Sequence, residues 1–456
     1  MPRITIHILT LLLLALQPLA ALAQGKDEGS RAMEADTVRQ EAVRDSLEIS
    51  MLVCAPGTQV YELYGHSALR LHNLTTGADV VLNYGVFDFH TPHFAWRFMM
   101  GLTDYTVGAV HYRDFITAYS AEGRIVGEQV LNLTQEEAYR LTMLAESDWQ
   151  TPGWAYRYNF LYDNCTTRLI RMVEQAVAGK VVWPKEGEGQ RSFRDIIHEY
   201  AAPASPWYSF GQDLILGAEM DQPCSVEQQL FSPVYAMHYM SGAKIAAADG
   251  SVRPLVRQER DCTIGPLPQA KQAFPISPLM AAVGLLCLCL LTSLSEWRWQ
   301  RTFHLLDDLL LLLLGGLGVV VALLFFLSEH PAVGSNWLIL LLHPLWLIYL
   351  PWKVVRDVRH RPNHYGIIMG TAVALAAVAF VCSPQVIPLE VYLLLGALGV
   401  RSFSFSRSLR SLDSAEACGF LVSGNPFGLP VSTQPAAAGS IVLKQLRNEE
   451  LGIAFQ

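Results

Sequence analysis

The feature that most constrains this chain is a series of five apolar runs after Lys271, at residues 276–294, 305–327, 337–352, 365–382 and 386–400. Each is near the length needed to cross about 30 Å of hydrocarbon, the third and fifth being short. Backbone that enters lipid must satisfy its own hydrogen bonds, so such runs are expected as helices. An all-α transmembrane domain of about five helices is therefore expected over residues 276–403. The whole chain agrees: of 456 residues, 51% are hydrophobic and only 16% charged, too apolar for a purely water-soluble protein of this length. A formal net charge of -8 argues against a nucleic-acid partner.

The loops orient the runs. Arg298 and Arg301 follow the first, Lys353, Arg356, Arg359 and Arg361 the third, and Arg401, Arg407 and Arg410 the fifth, whereas "SEHPAVGSN" and "SPQVIP" carry no Lys or Arg. The positive-inside rule then puts residues 25–275 outside the cytoplasm and the C-terminus inside. The N-terminus asks for the same orientation. Arg3, an apolar core at 6–16 and Ala21-Leu22-Ala23 read as a secretory signal peptide over residues 1–23, with a short membrane anchor as the alternative. The expected location is the inner (cytoplasmic) membrane with residues 47–270 in the periplasm. Residues 24–46 read as a flexible lead-in, and the Ser-, Gly- and Pro-rich 404–456 as a disordered cytoplasmic tail.

Within 47–270 the periodicity switches between strand and helix. Residues 47–54 read as a strand. "HSALRLH" alternates, with His66, Ala68, Arg70 and His72 on one face. A Thr-Thr-Gly turn at 75–77 leads to a hairpin partner at 80–87, and 106–112, 124–133 and 155–162 are further strand candidates. Thr134-Gln135-Glu136-Glu137 is a capping box opening a helix to about residue 149. Strands with inserted helices, without strict alternation, predict an α+β domain.

Eight cysteines are present. Cys287, Cys289 and Cys382 fall in the apolar runs and Cys418 in the tail. Cys54, Cys165, Cys224 and Cys262 lie in the exported part, where disulfides persist. If Cys165 is free, only one pair can form among the other three. There is no C-x-x-C and no zinc-like spacing, so neither a metal nor another cofactor is expected.

The stretch "YNFLYDNCTTRLIRMVEQAV" carries the main chemical question. Asp163 or Asn164 suits an N-cap, and Cys165, Leu169, Met172, Val173 and Ala176 fall on one apolar helix face. Cys165 thus points inward at a helix N-terminus, where the macrodipole and free N–H groups favour a thiolate and could receive an oxyanion. A base would be needed, and His66, His72, His90, His93 and His111 lie upstream. From the residues alone, a packed core cysteine remains ahead of a nucleophile.

The pairing of "YGHSALRLHN" with "YDNCTTRLI" resembles the permuted papain-like cysteine enzymes, in which the base precedes the nucleophile. NlpC-type peptidases and lecithin:retinol acyltransferase-like enzymes belong to that group, and the latter carry a similar Asn-Cys. More closely, "YGHSALRL", "LNYGVFDF", "YNFLYDNCTTRLI" and "LGAEMDQP" resemble the Lnb-type lipoprotein N-acyltransferases over roughly residues 45–403. The resemblance implies Cys165 as nucleophile and His66 as general base. For the orienting group, Asn83 is preferred over Asp88, with His72 also on the face of His66. Tyr64, Tyr84, Asp88, Asn164 and Arg168 are the candidate substrate-binding residues. The implied reaction moves an acyl chain from a membrane glycerophospholipid, through a Cys165 thioester, to the α-amine of the N-terminal cysteine of a diacylated lipoprotein. Two alternatives stand beside it: a Cys–His amidase or peptidase acting on envelope peptides, and a non-catalytic membrane-anchored binding or assembly module, which would leave Cys165 inert or disulfide-bonded. Glu329, His330, Asn336 and His343 cluster by the outer ends of the second and third runs and could be functional or merely interfacial.

Overall fold

A computed structural model describes residues 46–88, 90–264 and 274–404; the signal-peptide, lead-in and tail readings fall essentially outside the described residues. The first domain is built on a seven-stranded antiparallel sheet, in the order β10-β5-β1-β2-β3-β4-β6. Its strands are β1 (Leu47–Cys54), β2 (His66–Asn73), β3 (Asp79–Val86), β4 (Asp104–His111), β5 (Val126–Leu131), β6 (Tyr156–Arg157) and β10 (Val256–Asp261). The 66–87 hairpin forms as the alternation predicts, with Leu69 opposite Leu82 and His72 opposite Asp79.

Helices cover both faces of the sheet. After α1 (Phe94–Met99), α2 (Tyr112–Ala121) packs Phe115 and Ile116 on Leu52, Cys54, Ala68 and Val81. On the other face α3 (Gln135–Gln150) and α4 (Cys165–Ala176) bury Leu141, Leu169 and Val173 on Ile49, Met51, Val53, Leu69 and Leu82. Alternate residues of β1 feed two cores, so its last six residues are all buried and all but Ser50 are apolar.

The 155–162 strand is shorter than its sequence suggests. Only Tyr156 and Arg157 pair, with β4. Asn159 then turns the chain, its Oδ1 accepting the amides of Leu161 (3.1 Å) and Tyr162 (2.9 Å), a side-chain turn that competes with the ladder. Beyond α4 come a small sheet, β7 (Gly179–Val182), β8 (Lys244–Ala247) and β9 (Val252–Pro254), and four helices: α5 (Phe193–Ala204), α6 (Pro206–Ile215), α7 (Val226–Gln229) and α8 (Pro233–Gly242).

The helical domain comprises α9 (Pro278–Trp299), α10 (His304–Leu327), α11 (Leu345–Val358), α12 (Tyr365–Cys382) and α13, residues 389–404. Among the described residues, four helical stretches are long and apolar enough to cross a membrane: α9, α10, α12 and Trp337–Val358. The last is not the single run expected over 337–352. A 3-10 turn at Trp337–Leu340 is followed by a break at His343-Pro344, and α11 runs on to Val358. Proline has no N–H to continue a helix, so the turn before Pro344 ends and a new helix begins. Two cations counted above as loop charges are instead buried. Arg401 bonds Asp307 (2.7 Å) and Glu296 (2.8 Å), and Lys353 bonds Asp308 (2.6 Å) and Asp357 (2.8 Å).

"LGAEMDQP" joins the two domains. The amides of Gly217 and Ala218 donate to the carbonyls of Ala332 (2.7 Å) and Ser335 (3.1 Å), and Val386 N donates to Asp221 (3.0 Å). A Cβ on Gly217 would lie 2.4 Å from the Ser335 carbonyl carbon, so only glycine permits this approach. Arg194 fixes the segment from behind, bridging Asp213 and Asp221 while donating to the Leu216 and Gly217 carbonyls. Of the four polar residues noted beside the outer ends, Glu329, His330 and Asn336 also serve here, while His343 bonds within its own domain. Glu329 pairs with Arg157 (2.7 Å), His330 Nε2 meets the Phe98 carbonyl (2.6 Å), Asn336 donates to Leu214 O (2.8 Å), and His343 Nδ1 accepts the Leu345 amide.

Candidate active site

The site lies where β2 and β3 part. Their paired residues end at Leu69 and Leu82, and β3 is irregular between Tyr84 and Val86. Gly85 has φ +91°, a conformation that suits glycine, and this bulge opens the strand toward α4. The N-terminus of α4 enters the gap. Ser67 Oγ and Thr166 Oγ1 are 3.0 Å apart and buried, which fixes the start of β2 on the first turn of α4.

Asn164 caps α4. Its Oδ1 accepts the amides of Thr166 and Thr167, both at 2.9 Å. Its Nδ2 donates to the carbonyls of Phe160 and Phe231, both at 2.9 Å. Both ends of the amide are thus engaged within the protein, and Asn164 positions the helix rather than meeting a substrate. The cap also takes two first-turn amides out of contention as oxyanion donors, leaving the Cys165 amide beside the sulfur.

His66 and Cys165 are neighbours, and each is the main charged partner that shifts the other's ionisation. His66 Nε2 is 3.1 Å from Asn83 Oδ1, which leaves Nδ1 for the sulfur, and the imidazole stacks on Tyr119 with centroids 6.3 Å apart. Burial of Cys165 opposes ionisation. The adjacent His66 cation, its hydrogen bond and the Ser67 amide outweigh that and hold the thiol below its ordinary range. For His66 too burial disfavours the charge, and the Cys165 thiolate, its hydrogen bond and then Asn83 reverse this, raising the imidazole above its ordinary value. Both shifts favour the charged forms, thiolate on Cys165 and imidazolium on His66.

The other exported cysteines differ. Cys54, Cys165, Cys224 and Cys262 are all free thiols. Burial pushes Cys54 and Cys262 up, and Cys224 up to about 12, so Cys165 alone of the four is shifted downward.

Not every candidate from the sequence reaches the sulfur. Tyr84 is fully buried, donates to Asp148 (3.0 Å) and meets Trp154 edge-on, so it is a core residue. Tyr64 donates to Gln212 (2.8 Å) against α6. Asp88 is exposed and bonded to His90 rather than to His66. Arg168 is held by Asp163 (2.7 Å) and lies over the Tyr156 ring, 3.9 Å from its centroid. His72 is at the far end of β2, opposite Asp79.

Two neighbours were not singled out from the sequence. A Cβ placed on Gly85 would lie 3.9 Å from Cys165 Cβ, 3.9 Å from Tyr156 Oη and 3.8 Å from Tyr158 Cε2, so these groups border one small space. The Tyr156 hydroxyl is buried and has no hydrogen-bond partner among the described residues. Glycine inside "LNYGVF" is the kind of signal that marks a bulge. Nothing in a sequence reports an unpaired hydroxyl. A separate open cleft of about 630 Å³, lined by Gln190, Arg191, Asp195, His198 and Glu199, borders α5 and includes none of these residues.

Residues 34–186 match the family model of the Lnb N-terminal periplasmic domain, and residues 269–411 match that of the Lnb transmembrane domain. No curated protein and no solved structure matches the chain. This is a membrane protein with a periplasmic domain, and with both domains in this order the chain belongs to the Lnb-type family.

Proposed function

We propose that the protein is a lipoprotein N-acyltransferase working through a Cys165 thioester, in a permuted papain-like domain whose base precedes its nucleophile. Its family's domains suggest a lipoprotein-modifying membrane enzyme. The single observation that carries the chemistry is the His66–Cys165 pair, oriented by Asn83.

The Cys165 thiolate attacks an ester carbonyl carbon of a membrane glycerophospholipid, forming a C–S bond. The oxyanion is met by the Cys165 amide and the unpaired Tyr156 hydroxyl. As the C–O bond breaks, the His66 imidazolium gives its proton to the departing alkoxide, and a lysophospholipid leaves. The α-amine of the lipoprotein's N-terminal cysteine then attacks the thioester, forming the amide C–N bond as C–S breaks. Neutral His66 takes the proton lost by the amine, which restores the thiolate–imidazolium pair. The amide-capped acceptor is a triacylated lipoprotein.

Mass spectrometry of lipoprotein N-terminal peptides tests this in cells that carry this chain as their sole N-acyltransferase. Wild-type chain yields triacylated peptides and Cys165→Ser yields diacylated ones. Triacylated peptides from Cys165→Ser cells would sink the reading. Cleaved envelope peptides as the Cys165-dependent product would favour the amidase instead.

A further inference from the structure

We infer that α1 is a bilayer-contacting lip and that the aromatic row behind it guides a phospholipid acyl chain to Cys165. The first clause stands on geometry alone, and the second rests on the acyl-transfer reading.

α1 is tied to the chain that immediately follows α10, the most apolar of the candidate spans. The Glu329 amide donates to Met100 O (2.9 Å), Ser328 Oγ donates to Met99 O (3.1 Å), and His330 Nε2 meets Phe98 O (2.6 Å). Since α10 ends at Leu327, these bonds hold α1 at the level where that helix leaves hydrocarbon. At that level α1 exposes Trp96 (48%) and Phe98 (49%). Large exposed aromatics cost little in the interfacial layer of a bilayer, where Trp is enriched, and are unfavourable in water. The occupant of this face is therefore a lipid surface, because the span beside it already fixes one there.

The row continues inward without a break. Phe98 stacks on Phe94 (6.0 Å between centroids), Phe94 on Phe87 (5.7 Å), Phe87 packs on Tyr105 (5.1 Å), and Tyr105 stacks on Tyr158 (4.3 Å). Tyr158 borders the space beside Gly85 that Cys165 also borders. An acyl chain following this row would stay on apolar surface from the interface to the nucleophile. That removes the cost of drawing it through water.

Two measurements on the full chain in phosphatidylethanolamine/phosphatidylglycerol nanodiscs test the inference. In the first, brominated-acyl phospholipid quenches tryptophan emission, and the difference between wild type and Trp96→Phe isolates Trp96. That difference signal is expected to be quenched, and an unquenched one overturns the lip. In the second, Trp96→Ser/Phe98→Ser is expected to slow thioester formation from nanodisc phospholipid by about tenfold or more. Iodoacetamide alkylation of its Cys165 should stay within about twofold of wild type, reporting an intact site. Unchanged thioester formation overturns the guiding row. If wild type forms no thioester at all, the acyl-transfer reading fails, while the quenching result still decides the lip.

Discussion

His66 Nε2 and Asn83 Oδ1 lie 3.1 Å apart across the point where β2 and β3 separate, so the imidazole is held by one nitrogen and offers the other to Cys165. Asn83 is outside the paired part of the hairpin and can contact the ring only because the strands splay. Its amide fixes ring orientation without adding a charge that would hold the proton. Asn83→Ala is expected to lower kcat by about 10²-fold with little change in KM, because orientation matters most as the proton moves. An Asn83→Ala enzyme with wild-type kcat would remove Asn83 from the mechanism.

The coupled shifts of Cys165 and His66 predict a pH profile for alkylation. The Cys165 pKa is lowered, so thiolate persists as pH falls below the ordinary thiol range and is lost only through its depressed pKa. The His66 pKa is raised, so its cation persists above the ordinary imidazole range and is lost as pH rises through that raised value. The attraction between the two charges is therefore lost as pH falls through the Cys165 pKa and as it rises through that of His66. Iodoacetamide labelling should remain fast at pH values below the ordinary thiol range. In His66→Gln the burial of Cys165 is opposed only by the Ser67 amide and the Thr166 hydroxyl, and labelling should move to higher pH than in wild type. Identical profiles for the two proteins would break the ion-pair assignment.

Much of this domain was legible in sequence because local pattern and tertiary demand coincide. β1 and β2 begin as their patterns predict, the Thr134 capping box opens α3, and the helix face of Cys165, Leu169, Met172, Val173 and Ala176 is buried as its spacing requires. What the sequence hid is non-local. The engagement of Asn164 depends on Phe231, and the commitment of Tyr84 depends on Asp148, contacts no window contains. β7, β8 and β9 are only three or four residues long, too short for alternation to register, and α7 has four residues.

The doubly engaged Asn164 makes an unusual prediction about a conservative change. Asn164→Asp keeps the oxygen that caps Thr166 and Thr167 but puts a second oxygen against the Phe160 and Phe231 carbonyls. Aspartate is normally as good an N-cap as asparagine. Here two carbonyls lose their donor and face negative charge, so the change should destabilise the domain by about 1–3 kcal/mol. Thermal unfolding checks this, and an Asp variant as stable as wild type would contradict it.

The Tyr156 hydroxyl predicts the opposite sign. Removing a buried hydroxyl ordinarily breaks a hydrogen bond, but this one has none to break among the described residues. Tyr156→Phe should therefore leave the melting temperature unchanged or slightly raised, since an unpaired buried hydroxyl costs about 1–3 kcal/mol. If it meets the oxyanion, acyl transfer should fall by about 10²-fold while Cys165 alkylation is unaffected. Lost stability in Tyr156→Phe would reveal a structural hydrogen bond, and an unchanged transfer rate would remove the hydroxyl from the chemistry.

The joint at Gly217 yields a prediction that separates docking from chemistry. An alanine Cβ there would come within 2.4 Å of the Ser335 carbonyl carbon and 2.5 Å of the Asn336 nitrogen, both backbone atoms that cannot swing aside as a side chain would. The bonds from the Gly217 and Ala218 amides to Ala332 and Ser335 must lengthen or break. Gly217→Ala should thus speed hydrogen exchange at those two amides. Cys165, which is held by β2, β3 and the Asn164 cap, should alkylate as in wild type. Acylation from membrane phospholipid should fall by about tenfold, because the nucleophile keeps its environment but loses its fixed position over the membrane. Loss of alkylation together with acylation would mean that the joint shapes the site itself.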